Sequence, residues 1–562
     1  MPTELITKQG EQLLQSGQTP WDIYPRPQMR RNSYMTLNGI WELTADGKPY
    51  AIRVPFCPES ALSGVNTHFE DGALTYRRRF SLPETWTSGR ILLHIGGADQ
   101  SALIYLNGKK VGYHEGGYEA FTMDITDFVA SINELEIRCF DDLENTSFPY
   151  GKQVTPEKRG GMWYTPVSGI WQSVWLENVP EQYIRRLNIV NRGYCVTIST
   201  EPAMEGTIHI PELGDFPLGS TITPENPHLW SPEDPYLYDF TVETAEDRVE
   251  SYFAIRDLSI QTVSGTPRLC LNGKPYFFHG LLDQGYWPDG LLTPASPECY
   301  AEDILAMKNL GFNTLRKHIK IEPEEFYYQC DKLGMVVFQD MVNNGPYHYV
   351  RDTVIPTLGF QVRGDRNLNP TTAARNRFYQ AAEAAVRQLK NHPSICYWTI
   401  FNEGWGQFCS DEVYDWFRRL DDTRFIDTTS GWWRGHKTEV DSRHIYFGQW
   451  WQLKKGPKPV VLSECGGLTY AVEGHLFNPE DSYGYKTCKT PEEYQAGLQE
   501  LYQKYLIPFV TSKGLCASIY TQTSDVEDEI NGFVTYDRKV CKADPEAMRA
   551  IADALQRAIQ EE

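Results

Sequence analysis

Positive charge is scarce in this sequence: 53 Lys and Arg stand against 74 Asp and Glu, leaving a formal charge of −21. A surface of that sign repels polyanions at long range, nucleic acid above all. It does not exclude a small acidic sugar, which a local basic pocket can hold. No run approaches the ~18–20 apolar residues of a membrane span, so no membrane partner is expected. The first residues, MPTELITKQGEQLLQSGQ, carry no basic stretch followed by an apolar core. The expectation is therefore a cytoplasmic protein without a secretory leader. The 12 cysteines are scattered, none in a C-x-x-C pair, and a chain of this length does not depend on a disulfide framework. H-E-x-x-H, G-x-S-x-G, the P-loop and the dinucleotide fingerprint are all missing, which leaves metalloprotease, esterase and kinase readings unsupported.

Aromatic residues, in contrast, are plentiful: 13% of the chain, with 15 Trp and 33 Tyr. Rings of this kind bury large areas in cores, and their flat faces also stack on pyranose rings. Composition alone does not choose between the two. The 562 residues, 41% of them hydrophobic, exceed what one core organises and point to about three or four domains.

The pattern along the chain changes twice. From about residue 30 to 180, short apolar and β-branched runs such as ILLHIGG, SALIYLNGKKVG and NELEIRCF read as strands, with Asn107-Gly108 as a hairpin turn. Short strands continue to about residue 263, enough for a small second sandwich. From about 270, strands alternate with helical segments. KPYFFHG, FNTLRKH, MVVFQDM, SICYWTIFNE, RFIDTTSG, SRHIYFG, KPVVLSECGG and LCASIYTQ give the strand count of a (β/α)8 barrel. The expected division is a jelly-roll-like β-sandwich over 1–182, an immunoglobulin-like β-sandwich over 183–265 and a C-terminal (β/α)8 TIM barrel over 266–562.

Chemistry in such barrels sits at the C-terminal ends of the strands. Asn402 and Glu403 close the fourth candidate strand, and Glu464 closes the seventh. Two carboxyl groups converging across a barrel mouth are what glycoside cleavage needs. One protonates the leaving oxygen and later activates water; the other attacks the anomeric carbon.

Four segments carry a family resemblance: GGMWYTPVSGIWQSVWLE (160–177), FNEGWG (401–406), LSECGG (462–467) and YTQTSDVEDEINGFVTYDR (520–538). They resemble glycoside hydrolase family 2, along most of the chain and in the same sandwich–sandwich–barrel order. The resemblance implies a sugar-binding-like first domain and retaining hydrolysis through a covalent glycosyl-enzyme. It assigns Glu403 as acid/base, Glu464 as nucleophile and Asn402 as a ligand of the sugar 2-hydroxyl. It also implies a hydrogen bond from Tyr446 to the nucleophile. The mechanism requires no cofactor, although some family members hold Mg²⁺ or Na⁺ near the site. Segment 149–161 is the candidate loop from the first sandwich to the barrel mouth.

Further candidate sugar contacts are Asp283 and Trp287 after the first barrel strand, His318 after the second, Trp432 after the fifth, and His444 on the sixth. Around them, Arg316, Lys317, Lys320, Trp433, Arg434 and Lys437 are available for hydroxyls or a carboxylate. Bacterial β-glucuronidases of the family carry an Asn-x-Lys pair ahead of a T-x-D-R run. Here those positions are Glu529 and Asn531, and the lysine is missing. A β-galactoside is therefore the favoured substrate, with a β-glucuronide or β-galacturonide as the alternative and a non-catalytic carbohydrate-binding protein as the rival class. The expected partner is a small glycoside or oligosaccharide; a homo-oligomer stays open.

Overall fold

The computed structural model describes residues 4–357, 364–366, 368–369 and 371–561. In the first sandwich a six-stranded antiparallel sheet faces a four-stranded one. Their alternating residues, among them Trp41, Leu43, Tyr76, Leu93, Ile104, Ile137 and Leu176, form one buried core. Asn107 and Gly108 both have positive φ, 52° and 77°, as a two-residue turn between right-twisted strands requires. A second, smaller sandwich pairs a three-stranded with a four-stranded sheet around Ile189, Ile198, Ile208, Val242 and Phe253.

The rest is an eight-stranded parallel sheet that curls into a nearly closed barrel. Its strands, in chain order, are β1 (Phe278–Asp283), β2 (Thr314–Lys317), β3 (Val336–Asp340), β4 (Ile395–Asn402), β5 (Phe425–Ser430), β6 (Asp441–Ile445), β7 (Val460–Gly466) and β8 (Leu515–Thr521). Hydrogen bonding runs 5-4-3-2-1-8-7-6. At the seam between β5 and β6, side chains bridge where a backbone ladder does not: Ser430 Oγ lies 2.9 Å from His444 Nε2 and 3.0 Å from Ser463 Oγ. The β/α alternation lapses here. Among the described residues no α-helix connects β5 to β6, and only a short 3₁₀ turn, Trp450–Gln452, stands between β6 and β7. No helix of the described residues is long and apolar enough to cross a membrane.

Several contacts join the units, and two of them are buried clusters near the ends of the barrel elements. The residues ahead of the first sandwich pack on the barrel: Thr7 caps the helix Lys8–Ser16 and donates from its amide and its hydroxyl to Asp289 Oδ2 at 2.9 Å and 2.5 Å, and Trp21 Nε1 donates to Pro294 O at 2.9 Å. The second contact is Asp331, fully buried on the helix Glu324–Leu333. It accepts from Tyr252 of the second sandwich at 2.7 Å and from the Ser394 amide at 2.8 Å, and it meets His392 Nδ1 at 2.7 Å. Removing one partner of such a buried cluster strands the others without solvent. Asp331→Ala is expected to destabilise the chain by about 3–5 kcal/mol; an unchanged urea midpoint would refute this role.

Candidate active site

Arg316, at the end of β2 and 1% exposed, organises the barrel mouth. Its Nε donates to Asp340 Oδ1 on β3 at 2.9 Å, and its Nη2 to Asn402 Oδ1 on β4 at 2.8 Å. Its Nη1 reaches β7, donating to Glu464 Oε1 and the Ser463 carbonyl, both at 3.0 Å. A planar fork of donors suits this geometry; a lysine has no such fork. The register slips between β6 and β7, so that His444 pairs with Glu464 while Ser463 is left over. That irregularity turns Glu464 toward the mouth, as bulges do beside sites.

Glu403 follows the last residue of β4. Its φ is +54°, a left-handed conformation that costs a non-glycine residue about 1–3 kcal/mol. Its amide donates to Ser430 O at 3.0 Å, and Gly404, also at positive φ, lets the Trp433 ring approach where a Cβ would stand 2.4 Å away. One oxygen each from Glu403 and Glu464 and a nitrogen of His444 all lie within 4.8 Å of one another. His444 Nδ1 is 2.8 Å from Glu403 Oε1 and 3.5 Å from Glu464 Oε2. Its Nε2 faces Ser430 and, at 3.5 Å, Arg316. Nδ1 is thus the nitrogen turned to the carboxylates, with Glu403 its nearer partner.

Burial pushes the Glu464 carboxyl up, but His444, the Arg316 guanidinium and a hydrogen bond from Tyr446 oppose it and bring it to about 2. Tyr446, its own phenol raised by burial and by Glu464, stays a donor. Its ring stacks on Tyr485 at 3.9 Å, and its hydroxyl also contacts Thr521 at 3.1 Å. His318 Nδ1 lies 2.7 Å from Asp340 Oδ2. Burial first, then Lys152, holds this imidazole down at about 4, so it is neutral at pH 7, with Nδ1 the donor and Nε2 left as an acceptor.

A cavity of about 270 Å³ opens at Glu403, lined also by Trp432, His444, Tyr446, Tyr485 and Phe447, with Met162 and Tyr349 at its walls. Trp432 Nε1 donates to Asp352 O at 2.9 Å. Segment 149–165 reaches the barrel mouth. Tyr150 N donates to Asn343 O at 3.1 Å, Trp163 stacks on Trp405 at 5.1 Å, and Arg159 pairs with Glu527 at 3.0 Å. Of the expected site residues, Glu403, Trp432, His444 and Tyr446 line this cavity, while Arg316 ties Asn402 and Glu464 together and, through Asp340, reaches His318.

Asp283 and Trp287 do not join them. Asp283 pairs with Lys317 at 2.7 Å, which also holds Glu322 at 2.8 Å. Trp287 is buried under Arg538, whose guanidinium lies 4.1 Å from its ring centroid. Lys437 pairs with Asp415 at 2.5 Å on the exterior, and Trp433 packs beneath Gly404. The strand-end rule pointed to Arg316 without its four-strand reach. It gave no sign of Met162, Tyr349 or Lys152, which arrive from other parts of the chain.

Three family models match in chain order: the family 2 glycosyl hydrolase sugar-binding domain over 22–180, the family 2 glycosyl hydrolase model over 192–256, and the family 2 TIM barrel domain over 265–553. The chain belongs to glycosyl hydrolase family 2. A β-glucuronidase of Felis catus is 24% identical over 86% of this chain and 84% of its own. Among solved structures, a β-glucuronidase of Ruminococcus gnavus superposes with a TM-score of 0.74 at 18% identity, covering 96% of this chain and 99% of that one. A β-galacturonidase of Eisenbergiella tayi bound to galacturonate gives 0.68 at 20% identity, covering 95% and 99%. This family 2 chain is accordingly a glycoside hydrolase with the sandwich–sandwich–barrel fold.

The Tyr446 hydrogen bond favours the ionised form of Glu464, so removing it raises that carboxyl. A hydrogen bond to a charged group contributes about 1.5–3 kcal/mol, which is about one pH unit or more. Tyr446→Phe is expected to move the acid limb of the pH–activity profile upward by that amount; a limb that stays in place refutes the link.

Proposed function

We propose that the chain is a retaining exo-β-glycosidase with Glu464 as nucleophile and Glu403 as acid/base. The observation that carries this is the approach of the two carboxylates to within 4.8 Å. Retaining enzymes hold their pair about 5–5.5 Å apart, whereas inverting ones leave room for a water. Glu464, ionised and held by Arg316 and Tyr446, attacks the anomeric carbon. Glu403 gives its proton to the leaving oxygen. With Glu464 esterified, Glu403 takes a proton from water, which attacks the same carbon and restores Glu464. The product keeps its β configuration.

The neighbours fit these steps. Arg316 occupies Asn402 Oδ1, which leaves the amide NH₂ for the sugar 2-hydroxyl. His318 offers an accepting nitrogen for another hydroxyl, and Trp432 forms a wall of the cavity. Met162 on one side and Tyr349 on the other suit a chain end better than the interior of a polymer. We take the glycone to be a β-hexuronide in place of the β-galactoside favoured by sequence, because relatives of this length are named β-glucuronidases and because the mouth holds an uncommitted cation. A purely sugar-binding role would not need both carboxylates.

Glu464→Gln is expected to lower kcat by roughly four orders of magnitude with the fold intact; near-normal turnover would refute the nucleophile. Glu403→Ala should spare substrates with good leaving groups relative to poor ones and respond to added azide. Proton NMR of the first product should show the β anomer, and an α anomer would exclude retention.

A further inference from the structure

We propose that Lys152, carried by the first sandwich, recognises the carboxylate of the hexuronide glycone. The inference rests on the reading of Glu403 and Glu464 as the reacting pair. Lys152 is buried, at 8% exposure. Among the described residues its ammonium has no carboxylate within 4.0 Å and no hydrogen bond. Its close contact is the face of Trp405, at 4.8 Å from the ring centroid, and Trp405 stands two residues beyond Glu403. Lys152 also acts electrostatically on His318 and on Glu529. Trp405 also stacks on Trp163, and the neighbouring Met162 lines the cavity together with Glu403, so Lys152 lies beside the space over the reacting pair.

The other cations of the mouth are taken. Arg316 holds Asp340 and Glu464, Lys317 holds Asp283 and Glu322, and Lys320 holds Glu322. Glu529 is occupied by the Tyr164 hydroxyl. The Lys152 ammonium is not committed to a carboxylate of the protein, so it is available to one carried by a substrate. Two further donors near it lack partners, Trp405 Nε1 and Asn343 Nδ2; Asn343 is tied to the Lys152 loop through Tyr150 N. Asn531, on the barrel, is neutral and brings no charge of its own.

The loop is built to hold Lys152 there. Gln153 Nε2 donates to Asp99 at 2.9 Å and to Tyr118 Oη at 3.1 Å, while its Oε1 accepts from Val167 N at 2.7 Å. Gly151 has a φ of +65°, and a Cβ there would stand 2.7 Å from Tyr118 Oη and 3.1 Å from Ile319 O. Only glycine lets the sandwich press this close to the end of β2.

The test uses the full chain with p-nitrophenyl β-glucuronide, β-galacturonide, β-glucoside and β-galactoside. Wild type is expected to prefer a uronide over its neutral counterpart. Lys152→Gln should lower kcat/KM on that uronide about 100-fold or more, mainly through KM, and change rates on neutral sugars by less than about threefold; Lys152→Arg should recover part of the loss. Calorimetry on wild type, with free glucuronate and galacturonate against glucose and galactose, needs no variant and should give tighter binding of an acid. A wild-type preference for neutral sugars, no tighter binding of either acid, or equal loss on all four glycosides overturns the Lys152 assignment. None of these touches the reacting pair, which fails only if Glu464→Gln still turns substrate over in the same assay.

Discussion

The buried guanidinium of Arg316 is the constraint on which the site depends. Taking a cation out of water is expensive, and the expense is offset only when the pairing geometry is good and the remaining donors are used. Here Asp340, Glu464, Asn402 and the Ser463 carbonyl use them. Each sits at the end of a different strand or on the irregularity that turns β7. Strands that would otherwise meet only through the barrel wall are thereby held in one mutual position. Asp340 passes the order on, since its second oxygen fixes His318.

The same arrangement makes two chemically identical side chains unlike. Glu464 receives Arg316 and the Tyr446 hydroxyl, both of which stabilise negative charge. Glu403 receives neither; its partner is Nδ1 of His444. The two carboxyl groups therefore meet different surroundings within one site. His444 touches both groups and is held from behind by Ser430, across the one seam of the barrel that lacks a backbone ladder.

Much of this was legible in the chain. Asn107-Gly108 announced its hairpin, the strand runs announced the barrel, and Glu403 and Glu464 were found because they close strands four and seven. The strand-end rule gives a residue's height on the barrel but not what stands beside it. Asp283 closes β1 as Glu464 closes β7, yet the adjacent Lys317 captures it. Trp287 lies beyond a strand end too, but the chain there turns it under Arg538. The missing helices after β5 and β6 were masked because strand spacing alone was counted. Lys152 lay in a segment singled out for its position, without periodicity or a motif to distinguish it from Lys158. Its importance comes from burial against Trp405, which is far away in sequence.

That origin divides the work between domains. The barrel carries the carboxylates and the residues that tune them, while the sandwich carries a charge beside the same space. A chain with a net charge of −21 repels an anion at a distance, so an acidic sugar must be recognised locally, inside a low-dielectric wall where one ammonium acts strongly. In the proposed reading, placing that ammonium on a loop held by Gln153 and Gly151 separates choice of glycone from cleavage. The loop can change its charge without disturbing Arg316, and the barrel can keep its chemistry while the sandwich alters what enters. In the proposed reading, a substrate carboxylate gives that ammonium a charged partner, which a neutral sugar of the same shape does not.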